Sequence, residues 1–165
     1  MKEIYVVLSQ YNLWANSRLA DLILSLPEEK VNREIISSFP GLRLTLLHMW
    51  NAESVWWQRI KPEENIHLPF EEFDGSLFEL VNNWKLQSKQ WINWLESATE
   101  AAIAHEFIYR DSKKNRYKQP VSEVLQHLFI HQSYHRGQLV TILRQLEITE
   151  IPATDFIYFL RKKKT

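Results

Sequence analysis

Leu77, Val81, Trp84, Ser88, Trp91, Leu95 and Ala98 recur at intervals of 4-3-4-3-4-3, the spacing that lays a single stripe along an α-helix and not along a strand. Three further stretches carry the same signature. Leu8, Tyr11, Ala15, Leu19, Leu22 and Leu26 form the first, which Pro27 ends. Leu44, Leu47, His48, Asn51, Ala52 and Val55 form the second, which opens near Pro40-Gly41 and stops before Pro62. The last is entered through Pro120 and reads Val124, Leu128, His131, His135, Leu139, Ile142, Leu146. Four amphipathic helices bury their stripes most simply against one another, so the sequence predicts an all-α chain folded as a four-helix bundle. Only Gly41, Gly75 and Gly137 are glycines, too few for the tight turns of a sheet-rich domain.

Two smaller elements complete the expectation. His105–Arg110 and Arg116–Lys118 flank Asp111-Ser-Lys-Lys-Asn115, which predicts a small β-hairpin inserted before the last long helix. Thr154 or Asp155 is placed to cap a short C-terminal helix carrying Phe156, Phe159 and Leu160. No linker or repeat divides residues 1–165, so a single domain is expected. Charge balances at 20 basic against 20 acidic residues, which argues against affinity built on phosphate neutralisation, and the run Arg161–Lys164 reads as a solvated end. No stretch approaches the ~18 apolar residues of a membrane span, and Glu3 with its polar neighbours comes too early for a secretory leader. A cytoplasmic chain without nucleic-acid or membrane partners is the expectation. Cysteine is absent, which removes thiolate metal sites and cysteine nucleophiles.

The histidines carry the chemical information. His131 and His135 stand four apart, about 40° apart on one helical face and one turn apart in height, in the stripe of Val124, Leu128, Leu139 and Ile142. His48 takes a matching place on the second helix. Buried imidazoles need hydrogen-bond partners or a ligand role, and an i,i+4 pair with a third histidine from a neighbouring helix gives a facial nitrogen set that leaves positions open. Such a set suits Zn, Ni, Fe or Cu. His127 is also four residues from His131, so spacing permits a 127/131 pair as well. His67 and His105 have no partner at ligand spacing.

Other polar residues are weaker candidates. Glu53 lies about 140° round the helix from His48, facing away from a metal, and is expected in a surface salt bridge. Asn51 is on the His48 side and placed to touch a ligand, Tyr11, Asn12 and Trp14 are candidate pocket walls, and Tyr134 lies off the ligand face, placed to form a pocket wall or a contact. The seven tryptophans are expected in the core or on a dimer surface.

His131-Gln-Ser-Tyr-His135-Arg136-Gly137-Gln138 closely resembles the His-x-x-x-His-Arg-Gly-Gln signature of DinB-like proteins. Tyr11-Asn-Leu-Trp-Ala-Asn16, Leu46-Leu-His48 followed by Glu53, and Thr154-Asp-Phe-Ile-Tyr158 are in the order of that family. The resemblance implies a four-helix bundle whose metal triad is His48, His131 and His135, with the later pair preferred over His127. It also implies a divalent ion, zinc or nickel before iron or manganese, and frequent homodimers. Arg136 and Gln138 match the motif without an assigned role. A close backbone approach is the expected reason for Gly137, which as a mid-helix glycine costs about 1 kcal/mol relative to alanine.

The expected function is a metal-dependent transferase or hydrolase acting on a small molecule. A water or a low-molecular-weight thiol would be activated at the open position. The rival expectation is a non-catalytic, dimeric binding or stress-response module in which the metal is structural.

Overall fold

The computed structural model describes residues 1–163. Its long helices are α1 (Lys2–Leu24), α3 (Gly41–Ile60), α5 (Leu77–Ser97) and α7 (Val121–Gln145), and α8 (Phe156–Lys163) closes the chain. The hairpin pairs β1 (Glu106–Arg110) with β2 (Arg116–Pro120), placing Arg110 opposite Arg116. Each of these elements was expected, with α1 starting earlier than its stripe and Pro120 sitting at the N-cap of α7 rather than inside it. Short helices α2 (Glu28–Asn32), α4 (Pro69–Glu72) and α6 (Glu100–Ala104) were not. No helix among the described residues is long and apolar enough to cross a membrane.

Local chemistry sets the boundaries. Ser76 and Glu79 form a reciprocal capping box at the start of α5, and the Thr99 hydroxyl accepts the Ala102 N–H at the start of α6. Gly41 opens α3 at φ +88°, where a Cβ would stand 2.6 Å from the Arg33 carbonyl oxygen, so only glycine fits the turn. The Asp111 carboxylate accepts the N–H groups of Lys113 and Asn115 and closes the hairpin.

α1 and α3 each pack against both α5 and α7, so the bundle runs α1-α5-α3-α7 around its axis. α1 and α3 therefore stand diagonally, as do α5 and α7, while the consecutive pair α3 and α5 are neighbours; α2 with its flanking loops makes the crossing from α1 to α3. Trp84 and Leu46 lie in one apolar cluster with Leu19 and Leu139; Trp91 and Leu95 lie in a second with Tyr5 and Leu125. Between these clusters, on all four helices, comes a buried polar layer of Asn12, Asn16, Glu53, Ser88, Gln132 and Arg136.

Glu53 corrects the sequence reading most sharply. It is 0% exposed and makes no surface salt bridge. Its Oε1 accepts from Asn12 Nδ2 at 2.9 Å and Trp84 Nε1 at 3.1 Å, and its Oε2 accepts from Ser88 Oγ at 2.6 Å. Asn12 and Asn16 present their side-chain oxygens to Arg136 Nη1, each at 2.8 Å, so two amides link a buried carboxylate to a buried guanidinium. At the C-terminus Lys162 lies over the Tyr158 ring and Lys163 donates to Gln10; Arg161, Lys162 and Lys163 are exposed, in keeping with a solvated end, and Lys164 lies outside the described residues.

Candidate metal centre

His48 on α3 and His131 and His135 on α7 meet where those two helices pack. His131 Nε2 lies 3.0 Å from His48 Nε2 and 3.1 Å from His135 Nε2. Two nitrogens bound tetrahedrally to one ion at about 2.0–2.1 Å stand about 3.3 Å apart, so the triad is close to a ligand set as it stands. His127 stays outside it: its ring is 5.6 Å from that of His131 and meets the edge of Trp56.

Hydrogen bonding fixes the proton on one of the three rings. Gln138 Nε2 donates to Ser38 Oγ and the Tyr134 hydroxyl, which leaves its Oε1 to accept from His135 Nδ1 at 2.7 Å. A neutral His135 then carries its proton on Nδ1 and turns the lone pair of Nε2 to the triad. His131 Nε2 has room for one proton and two nitrogen neighbours, so hydrogen bonds cannot satisfy both contacts well, whereas a cation satisfies all three nitrogens. His131 Nδ1 is buried without a partner.

Electrostatics keep the rings neutral. Burial, reinforced by the charge of His135, pushes His48 down to about 4. Burial pushes His131 down to about 3, with His135, His48 and His127 adding to it. His135 is also lowered by burial, against the pull of its Gln138 bond. Neutral imidazoles need no deprotonation before they bind a metal.

Aromatic rings wall the site, and two of them, Phe39 and Phe70, were missed by sequence reasoning. Phe39 stacks on His48 with centroids 3.9 Å apart and lies 5.8 Å from His135, and Phe70 meets Phe39 edge-on at 5.6 Å. The Asn51 side-chain oxygen accepts the Phe70 N–H at 3.0 Å, so Asn51 positions this wall through Phe70. Tyr134 meets the His135 ring at 5.0 Å. Tyr11 and Asn12 line a separate cavity between α1 and α7 with Arg136, while Trp14 packs on α8. His67 pairs with Glu72, and the His105 carbonyl accepts the Val121 N–H. A Cβ on Gly137 would meet nothing within 4 Å, so the close approach expected there is not made within the chain. Gln132, fully buried, accepts from Asn16 and donates to the Met49 carbonyl, tying α7 to α1 and α3.

The profile of the DinB family matches residues 1–163. Protein DinB of Bacillus subtilis (strain 168) is 25% identical over 179 aligned positions, covering 100% of this chain and 98% of its own. Among solved structures, the DinB-like protein YjoA of Bacillus subtilis is 19% identical with a TM-score of 0.67, covering 90% of this chain and 96% of its own. A DinB-like protein of Bacillus cereus is 19% identical with a TM-score of 0.64, covering 84% of this chain and 89% of its own. YfiT of Bacillus subtilis, described as a probable metal-dependent hydrolase with an unusual four-helix bundle topology, is 11% identical with a TM-score of 0.67, covering 90% and 89%. The bundle is the fold these proteins share, and the match along the described chain makes this protein a member of the DinB family.

Proposed function

We propose that the chain is a metal-dependent enzyme of hydrolase or transferase type in which His48, His131 and His135 hold one divalent cation. The observation that carries this reading is the meeting of three Nε2 atoms, with His48 and His131 half-buried and no fourth protein ligand among the described residues of the cluster. A closed structural site takes a fourth protein ligand, whereas a catalytic site keeps a position open. The all-nitrogen set suits zinc, nickel, iron or copper, and the family resemblance puts zinc or nickel first, with iron or manganese next. A bound ion of this kind lowers the pKa of a coordinated water or thiol toward neutrality.

The chain's own residues hold that arrangement. Gln138 keeps the proton of His135 on Nδ1 and so aims Nε2. Phe39 and Phe70 shield one side of the triad from water, and the half-exposed rings leave a way in for substrate. Among the described residues, the three imidazoles bond only to one another and to Gln138, so no carboxylate stands beside them as a base. That favours a low-molecular-weight thiol as cosubstrate. The description of YfiT favours water as nucleophile.

Elemental analysis of protein purified without chelating resin tests the reading. Wild type should carry about one equivalent of metal and His48→Ala none. A wild type that stays metal-free after reconstitution with zinc and nickel would overturn it.

A further inference from the structure

We propose that Arg59, Arg110 and Arg116 form a subsite for an oxyanion, a phosphate or carboxylate group on a small molecule. Arg59, Arg110 and Arg116 border one cavity of about 420 Å³ between the end of α3 and the hairpin. Among the described residues, none of the three guanidiniums has a hydrogen bond or an ion pair. The Arg59 guanidinium is held 4.8 Å from the Trp56 ring and 5.4 Å from the Tyr109 ring, with its Nε–H buried and without an acceptor. Arg110 faces Arg116 directly across the strand pair, and like charges so placed repel unless an anion lies between them.

Carboxylates are near but engaged elsewhere or outnumbered. Asp111, whose charge reaches Arg59, is taken up by the backbone and side chain of Asn115 and by Lys113. Glu63 and Glu64 line the same cavity against three arginines. Guanidinium groups give forked donors that match the edge of a carboxylate or phosphate, and the two aromatic rings hold Arg59 in place before any ligand arrives.

The cavity is also placed to serve the metal centre. A second cavity of about 230 Å³, lined by Trp56, Tyr109, Gln119, Glu123, Val124 and His127, shares Tyr109 with it. The ring of Trp56 meets His127 at 5.6 Å, and His127 stands 5.6 Å from His131. A substrate with its reacting end at the triad would leave its anionic end on this side; that last step rests on the metal-enzyme reading, while the oxyanion subsite does not.

Calorimetric titration of resin-stripped, metal-free protein with inorganic phosphate and with malonate, at ionic strength fixed with sodium chloride, tests the subsite. The expected result is saturable binding of one equivalent of at least one of the two, which also tells phosphate from carboxylate chemistry. Arg59→Gln and the double variant Arg110→Gln/Arg116→Gln should each weaken it at least about tenfold, and Glu63→Gln/Glu64→Gln should strengthen it. Arg110 and Arg116 are exposed, so that double variant keeps its fold, which circular dichroism checks. Absence of saturable heat with both anions, or equal affinity in the folded double variant, would overturn the proposal. Because no metal is present, either result leaves the triad reading to its own test.

Discussion

Replacing Glu53 by Gln removes the charge of the polar layer while keeping its shape. Burial pushes the Glu53 carboxyl from an ordinary 4.5 up to about 7, against the opposing pull of Ser88, Asn12, Trp84 and the charge of Arg136. Because the folded value lies above the unfolded one, the native state holds the proton more tightly. The resulting stabilisation is complete below pH 4.5 and is lost as pH rises through 7. Integrated between pH 5 and pH 8, that displacement is worth about 2–3 kcal/mol. For 165 residues about 1 kcal/mol moves the midpoint by about 3 °C, so the expected change is about 7 °C.

The assay is thermal unfolding of metal-free wild type and Glu53→Gln at half-unit steps from pH 5 to pH 8. Histidines that titrate in this range do so in both proteins and cancel in the difference. The wild type should lose about 7 °C relative to the variant across the range. Parallel curves, with a difference constant within about 1 °C, would refute the reasoning. They would mean that the hydrogen bonds and Arg136 compensate fully for the loss of water around the carboxylate.

Three further outcomes are expected. Zinc at about 100 times its Kd should stabilise wild type by about 2.7 kcal/mol, read as a rise of about 8 °C in thermal unfolding, and His135→Ala should show none of it while remaining helical. Gln138→Ala frees the Nδ1 proton of His135 from its acceptor, and should lower metal affinity about 10- to 100-fold by competition with a chelating dye, with unchanged circular dichroism. Gly137→Ala should stabilise the helix by about 0.5–1 kcal/mol in denaturant unfolding, since the added methyl meets open space; a loss of stability at high protein concentration only would reveal a second copy packed on this helix.

The long helices were legible because each buries one stripe over five or more turns, and a stripe is what periodicity reports. α2, α4 and α6 have four or five residues each, too short to show a period, and they form because the bundle holds them. Spacing alone joined His131 to either His127 or His135, the motif resemblance preferred His135, and the packing of α3 against α7 brings His48, His131 and His135 together. Phe39 and Phe70 come from a loop and a one-turn helix, so nothing in their spacing marked them. Glu53 was misread for a plainer reason. A charged residue is assigned to solvent unless its partners are known, and those partners, on α1, α5 and α7, lie far off in the chain.

The diagonal placement of α1 and α3 also bears on how the chain reaches this structure. In a bundle whose neighbours follow one another in sequence, helical hairpins form locally and early. Here only the interface of α3 with α5 joins consecutive long helices; the other three join elements separated by an intervening long helix or lie across the whole chain, as when α7 docks on α1. Loop closure must come before these contacts reward it, which slows folding relative to an up-and-down bundle of equal length. The triad closes a span of 83 residues between His48 and His131. On the proposed metal-enzyme reading, capture of an ion by all three histidines would follow the docking of α3 on α7, and its appearance during refolding would time that step.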